Sequence, residues 1–132
     1  MAVNYVVKQR FNPNDPEAPK KWYGIAKSTG NSTLRKISKK IESISTVSSI
    51  DTMAVLEAFL QVLPEELGEG RTVRLGDFGS FRITIMTEGV EEEKNFSSKN
   101  ILRNKMVFTP GKEVKNALSF FEYRKEDQKI EL

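Results

Sequence analysis

Along this chain of 132 residues the spacing of apolar positions changes several times, and each change marks an element. Residues 4–10 (NYVVKQR) and 21–27 (KWYGIAK) are short runs rich in Val, Tyr and Trp, the composition of strands. Between them lies NPNDPEAP, with Pro13, Pro16 and Pro19, which is loop chemistry. The pair predicts a β-hairpin with a long connection. After the breaker STGNS, Leu34, Ile37, Ile41 and Ile44 recur at spacings of three and four, the apolar stripe of a helix that Ser32 or Thr33 would cap. STVSS ends that helix. Ser48-Ser-Ile-Asp51 is close to a capping box and opens a second helix over about 49–68. From Met53 to Leu63 this helix is apolar almost all round, so it must be covered on more than one side. A chain of this length has few elements left for that task, which points to a second subunit. Pro64 should kink the helix or restart its last turn, and Gly68 and Gly70 end it.

The next stretch, Arg74 to Ile85 (RLGDFGSFRITI), alternates like a strand but contains two glycines. Glycine weakens a strand interior, so each one needs a reason. A phosphate-binding loop would open directly into a helix carrying Lys then Ser or Thr. Here Gly76 and Gly79 lead into the β-type run Phe81, Ile83, Ile85, so they are read as a backbone bend. Residues 87–100 (TEGVEEEKNFSSKN) are polar and turn-rich, and 101–108 (ILRNKMVF) read as the returning strand. Thr109 and Pro110 then read as the cap and first residue of a last helix, whose stripe is Val114, Ala117, Leu118 and Phe121. From about Lys125 the chain is polar. The expected organisation is an α+β fold with a hairpin extension over 1–30, a main domain over 31–124 and a polar tail over 125–132.

Composition narrows the chemistry. There is no Cys, so disulfides and thiolate metal sites are excluded, and no His, the commonest general base and transition-metal ligand. Glu91, Glu92 and Glu93 with Asp77 lack the spaced ligands of a calcium loop. No nucleophile motif is present. The expectation is a protein that is not an enzyme, with no metal, cofactor or small-molecule substrate. No apolar run approaches the roughly 18–20 residues of a membrane span, and the N-terminus lacks a signal-peptide layout, so a cytoplasmic protein is expected. The formal net charge is only +3, but residues 1–48 carry nine Lys or Arg against three acids, 49–93 carry three against ten, and 94–132 carry nine against five. The basic thirds suit a polyanion, or form an ordinary solvated surface.

Two motifs in order carry a resemblance. Val73, Leu75 and Phe78-Gly79-Ser80-Phe81 are followed, after room for a long hairpin, by Phe108-Thr109-Pro110-Gly111-Lys112, with Lys115 and Leu118 beyond. Preceded by two helices, this series resembles the HU and integration host factor family of bacterial histone-like DNA-bending proteins, over about residues 31–123. Residues 1–30 have no counterpart in the compact members, which suggests a divergent branch. The resemblance implies an intertwined homodimer, a helical base under a β-sheet with arms, and Phe59, Phe78, Phe81 and Phe108 in the dimer core. It implies double-stranded DNA as partner and the bacterial nucleoid as location. Phosphate contacts then fall to Arg82, Lys99, Arg103, Lys105, Lys112 and Lys115, Arg103 and Lys105 sharing a face by period-two alternation. Lys20, Lys21 and Trp22 offer a further basic-aromatic contact, although Trp22 is expected to pack.

The arm departs from the family. Its members carry a proline at each arm tip that wedges between base steps. No proline lies between Ile85 and Phe108, and the tip EGVEEEKNFSSKN holds four Glu and two Lys. Phe96 is the one bulky candidate wedge, or else the anchor of a shortened, folded-back arm. Two functions therefore stand side by side: largely sequence-independent DNA binding, and an HU-like protein-interaction or structural module with weak or lost DNA binding.

Overall fold

A computed structural model describes residues 2–126. They divide into two compact units, residues 2–32 with 118–126, and residues 33–117.

The first unit is a three-stranded sheet. Strands β1 (Ala2–Arg10) and β2 (Lys21–Lys27) run antiparallel in register from Asn4↔Lys27 to Arg10↔Lys21. The proline-bearing loop between them is organised by Asp15 N–H donating to the Asn12 carbonyl at 3.1 Å. A third strand, β6 (Glu122–Lys125), pairs parallel to β1 on its other edge, from Ala2↔Glu122 to Tyr5↔Lys125. The C-terminal boundary drawn from the sequence therefore differs from the fold. Lys125, read as the start of the tail, ends a strand, and residues 118–126 group with the N-terminal segment rather than with 33–117. The rest of the expected tail, residues 127–132, lies outside the described residues. Trp22 does not pack: it is 66% exposed.

The second unit begins with two helices. Helix α1 (Leu34–Ile44) is capped by Thr33, whose hydroxyl accepts from Lys36 N–H at 3.2 Å. Helix α2 (Ser49–Gly68) is capped by Ser48, which accepts from Asp51 N–H at 3.1 Å, and it runs on past Pro64. The most buried side chains here are small and polar. Ser38 and Thr52 donate to their own helix carbonyls, Leu34 and Ser48, at 2.7 and 2.8 Å, so their burial leaves no hydroxyl unpaired. Glu42 of α1 accepts from Ser49 N–H at the start of α2.

A second sheet follows, ordered β3–β4–β5, from β3 (Val73–Arg74), β4 (Gly79–Thr87) and β5 (Ile101–Pro110), all antiparallel neighbours. The Gly76–Phe78 turn joins β3 to β4. Helix α3 (Lys112–Ser119) leaves the end of β5. Its start corrects the sequence reading. Thr109 and Pro110 are still paired in the sheet, opposite Ser80 and Gly79, and the first helical bond runs from Lys115 N–H to the Gly111 carbonyl. Pairing with β4 outweighs the local helix-start signal.

Among the described residues very little of the apolar surface is covered. Among the described residues only Leu63 and Leu67 are buried apolar side chains. On α2, Val55 is 65% exposed and Leu60 51%. On the sheet Phe78, Ile83, Ile85, Met106 and Phe108 are all exposed.

Candidate functional site

Side chains directly opposite in an antiparallel pair lie on the same face, and faces alternate along each strand. The register of β3–β4–β5 therefore sorts the sheet into two unlike surfaces. Val73, Phe81, Ile83, Ile85, Phe108 and Met106 share one face. There Phe108 packs between Phe81 and Phe78, with ring centroids at 4.9 and 5.3 Å. Ile83 and Met106 also line a cleft with Pro64 and Leu67 at the end of α2, so this face looks toward that helix.

The opposite face carries Arg74, Arg82, Lys105 and Arg103, against Ser80, Val107, Thr84 and Met86. All four cations are exposed, and among the described residues none forms an ion pair. Successive same-face positions on β5 are about 6.8 Å apart, so Lys105 and Arg103 form a short row, continued across the sheet by Arg82 and Arg74. Thr84, Met86, Arg103 and Lys105 edge a cleft on this part of the sheet. Arg74 was not singled out in the sequence. Its strand is only two residues long, and the one available signal was its alternation with Val73 and Leu75.

Two glycines make this geometry possible. Leu75 N–H donates to the Gly79 carbonyl and Gly111 N–H to the Phe78 carbonyl, both at 2.8 Å, drawing the 76–78 turn against the end of β5. A Cβ on Gly79 would overlap the Thr109 carbonyl oxygen and approach Phe108 Cε2 to 2.7 Å. A Cβ on Gly111 would overlap the Asp77 carbonyl oxygen. The absence of a side chain at these two positions thus lets two backbone segments touch.

The remaining candidate cations lie elsewhere. Lys112 and Lys115 border a groove at the start of α3, together with Asp77, Glu113, Pro110, Gly111 and Asn116. The free N–H groups of a helix start favour an anion, but two carboxylates share this groove with the two lysines. Lys99 sits in the 88–100 segment, its N–H donating to the Ser97 hydroxyl at 3.4 Å. That segment is folded on itself. Ser97 and Asn100 form a reciprocal capping box, Asn100 Nδ2 donates to Glu88 at 2.9 Å, and Lys94 pairs with Glu92 at 3.0 Å. Phe96 is 42% exposed there. Phe59 is half-buried on α2.

Among the described residues no group of His, Cys, Asp and Glu could hold a metal ion, and no helix is long and apolar enough to cross a membrane. The family described as "HU domain fused to wHTH, Ig, or Glycine-rich motif" matches residues 1–125. A solved structure from Bacteroides vulgatus ATCC 8482, described as a candidate bacterial DNA-binding protein, is similar in fold, with a TM-score of 0.61 at 13% identity. The match covers 95% of this chain and 49% of that one, so the present chain spans about half the length of its structural relative. No curated protein matches it.

Proposed function

Since the chain belongs to the family of HU domains fused to wHTH, Ig or glycine-rich motifs, we propose that it binds double-stranded DNA without catalysis, as a homodimer, through backbone phosphates. The observation that carries this reading is the two-sided sheet β3–β4–β5. One face is apolar and incompletely covered, and the other presents Arg74, Arg82, Arg103 and Lys105 with no ion pair among the described residues. On this reading the four cations contact phosphates, which position a duplex without reading its bases, so affinity comes mainly from counterion release and any preference from DNA shape. The exposed apolar surface of α2 and of the sheet supports the dimer, because the two buried apolar side chains among the described residues are too small a core for a stable monomer. Such a protein acts in the bacterial nucleoid.

The test is a salt series of DNA-binding titrations with R82A/R103A/K105A. Binding should weaken similarly on unrelated sequences, and the slope of log K against log salt should flatten by roughly 0.9 for each phosphate no longer neutralised. Absence of salt-sensitive binding by the unaltered protein, on any duplex at low ionic strength, overturns the reading. That outcome would favour the protein-interaction module, which one observation supports: the 88–100 segment is acidic, proline-free and folded on itself.

A further inference from the structure

The sheet of the first unit gathers cations at one end of one face. By its register, Val3, Tyr5, Val7, Trp22, Ala26 and Tyr123 lie on one face, with Gln9 and Lys125. The other face has the apolar pair Val6 and Ile25 at its centre, and carries Asn4, Lys8, Arg10, Lys21, Tyr23, Lys27 and Arg124, with Glu122 as its acid within the paired strands. Lys27 is paired with Glu126 at 3.3 Å, so that cation is offset by an acid. At the other end, Arg10 stands directly opposite Lys21, and Lys8 opposite Tyr23. Lys8, Arg10 and Lys21 are exposed and form no ion pair among the described residues. Asp15 and Glu17 belong to the adjoining loop, where the Asp15 carboxylate accepts from Glu17 N–H at 3.3 Å. Like charges directly opposite across strands are destabilising. A fold that places Arg10 against Lys21, with Lys8 two residues along, holds an electrostatic strain that a polyanion would relieve.

We infer that the Lys8–Arg10–Lys21 end of this sheet, with the Tyr23 ring beside it, is a second DNA-backbone contact, separate from the β3–β4–β5 face. The ligand's identity rests on the DNA-binding reading above, and the site itself rests on the register of β1 and β2. The chemistry is that of a phosphodiester chain: three cations on adjacent same-face positions, and Tyr23 able to lie against a sugar or donate its hydroxyl to a phosphate.

The experiment compares the full chain with K8Q/R10Q/K21Q and with the charge-keeping K8R/R10K/K21R, by fluorescence anisotropy on a labelled duplex across a salt series. Neutralising the three cations should flatten the salt slope by roughly 2.7 for each chain that contacts the duplex, so the fall in affinity between roughly 50 and 200 mM salt should shrink by about 40-fold per engaged chain. The charge-keeping variant should bind like the unaltered protein. The melting temperature of the neutral variant should be equal or higher, because the like-charge pair is gone. An unchanged salt slope in the neutral variant overturns the inference. So does equal weakening of binding by both variants with lowered melting temperatures, which marks a structural role. If the unaltered protein binds no duplex, the DNA reading itself fails. If it binds, and responds to R82A/R103A/K105A but not to K8Q/R10Q/K21Q, only the second contact falls.

Discussion

Replacing each glycine around the 76–78 turn with alanine separates two costs that usually come together. Gly76 has φ 56° and open space where a Cβ would sit, so Gly76→Ala costs only what a left-handed backbone costs, about 1 kcal/mol. Gly111 has no left-handed φ, but its Cβ would overlap the Asp77 carbonyl oxygen and lie 2.9 Å from Gly79 N. Gly111→Ala is therefore a case of overpacking, destabilising by about 2–3 kcal/mol, because the obstacle is backbone and cannot swing away. Gly79 combines both. At φ 142° and ψ −164° it occupies a region that is essentially glycine's alone, and its Cβ would overlap the Thr109 carbonyl. Gly79→Ala should cost about 4 kcal/mol, the sum of a strained backbone and an overpacked contact. With a urea slope of roughly 2 kcal/mol per molar for a small protein, the midpoint should fall by about 2 M. The measurement is urea unfolding at one fixed protein concentration, since subunit association would otherwise shift the midpoints. The double variant Gly79→Ala with Gly111→Ala should cost less than the sum, because both residues press on one backbone contact. If Gly79→Ala costs no more than Gly76→Ala, the close approach of the turn to β5 is not what the glycines serve.

What the chain order revealed and what it concealed divides along the range of the interactions. Thr33 and Ser48 cap their helices through bonds three residues long, so the caps were legible as residue types. Alternation placed Arg103 and Lys105 on one face for the same local reason. The β6 strand was hidden because Glu122–Lys125 contains a single apolar residue, Tyr123, and its parallel partner β1 lies at the far end of the chain with no turn linking them. The helix start at Thr109 and Pro110 was misplaced because their pairing with Ser80 and Gly79 is non-local and overrides the cap signal. Arg74 shares the face of Arg82, Arg103 and Lys105 only through the register of β3 on β4, which no residue type announces. Trp22 looked like a core residue by composition, yet it is 66% exposed among the described residues.

Three further outcomes follow from these placements. Val55, Phe59 and Val62 recur at helical spacing on α2, Val55 and Val62 being exposed, so Phe59→Asp should weaken self-association by at least about 2 kcal/mol, roughly 30-fold in dissociation constant, read by sedimentation equilibrium; association of unchanged strength would remove α2 from the interface. Deleting residues 1–30 strips β6 of its strand neighbour while leaving the Thr33 cap in place, and backbone amides at 122–126 should lose hydrogen-exchange protection. The last outcome concerns the 88–100 segment and DNA bending. A wedge must be presented at a tip and driven into the minor groove, where phosphates flank it. Phe96 instead sits between two short turns, Glu93–Asn95 and Ser98–Asn100, in a loop tied back to the end of β4 by Asn100 and Glu88. Glu91, Glu92 and Glu93 precede it, and Lys94 offsets only one of them. Moving that loop between phosphates would bring like charges together while breaking the bonds that shape it. Phe96→Ala should therefore leave the bend angle in a fluorescence-transfer assay unchanged. It should cost about 1 kcal/mol of stability, in proportion to a ring only partly removed from water. Loss of bending at unchanged stability would instead mean that the loop opens on DNA and that Phe96 is its wedge.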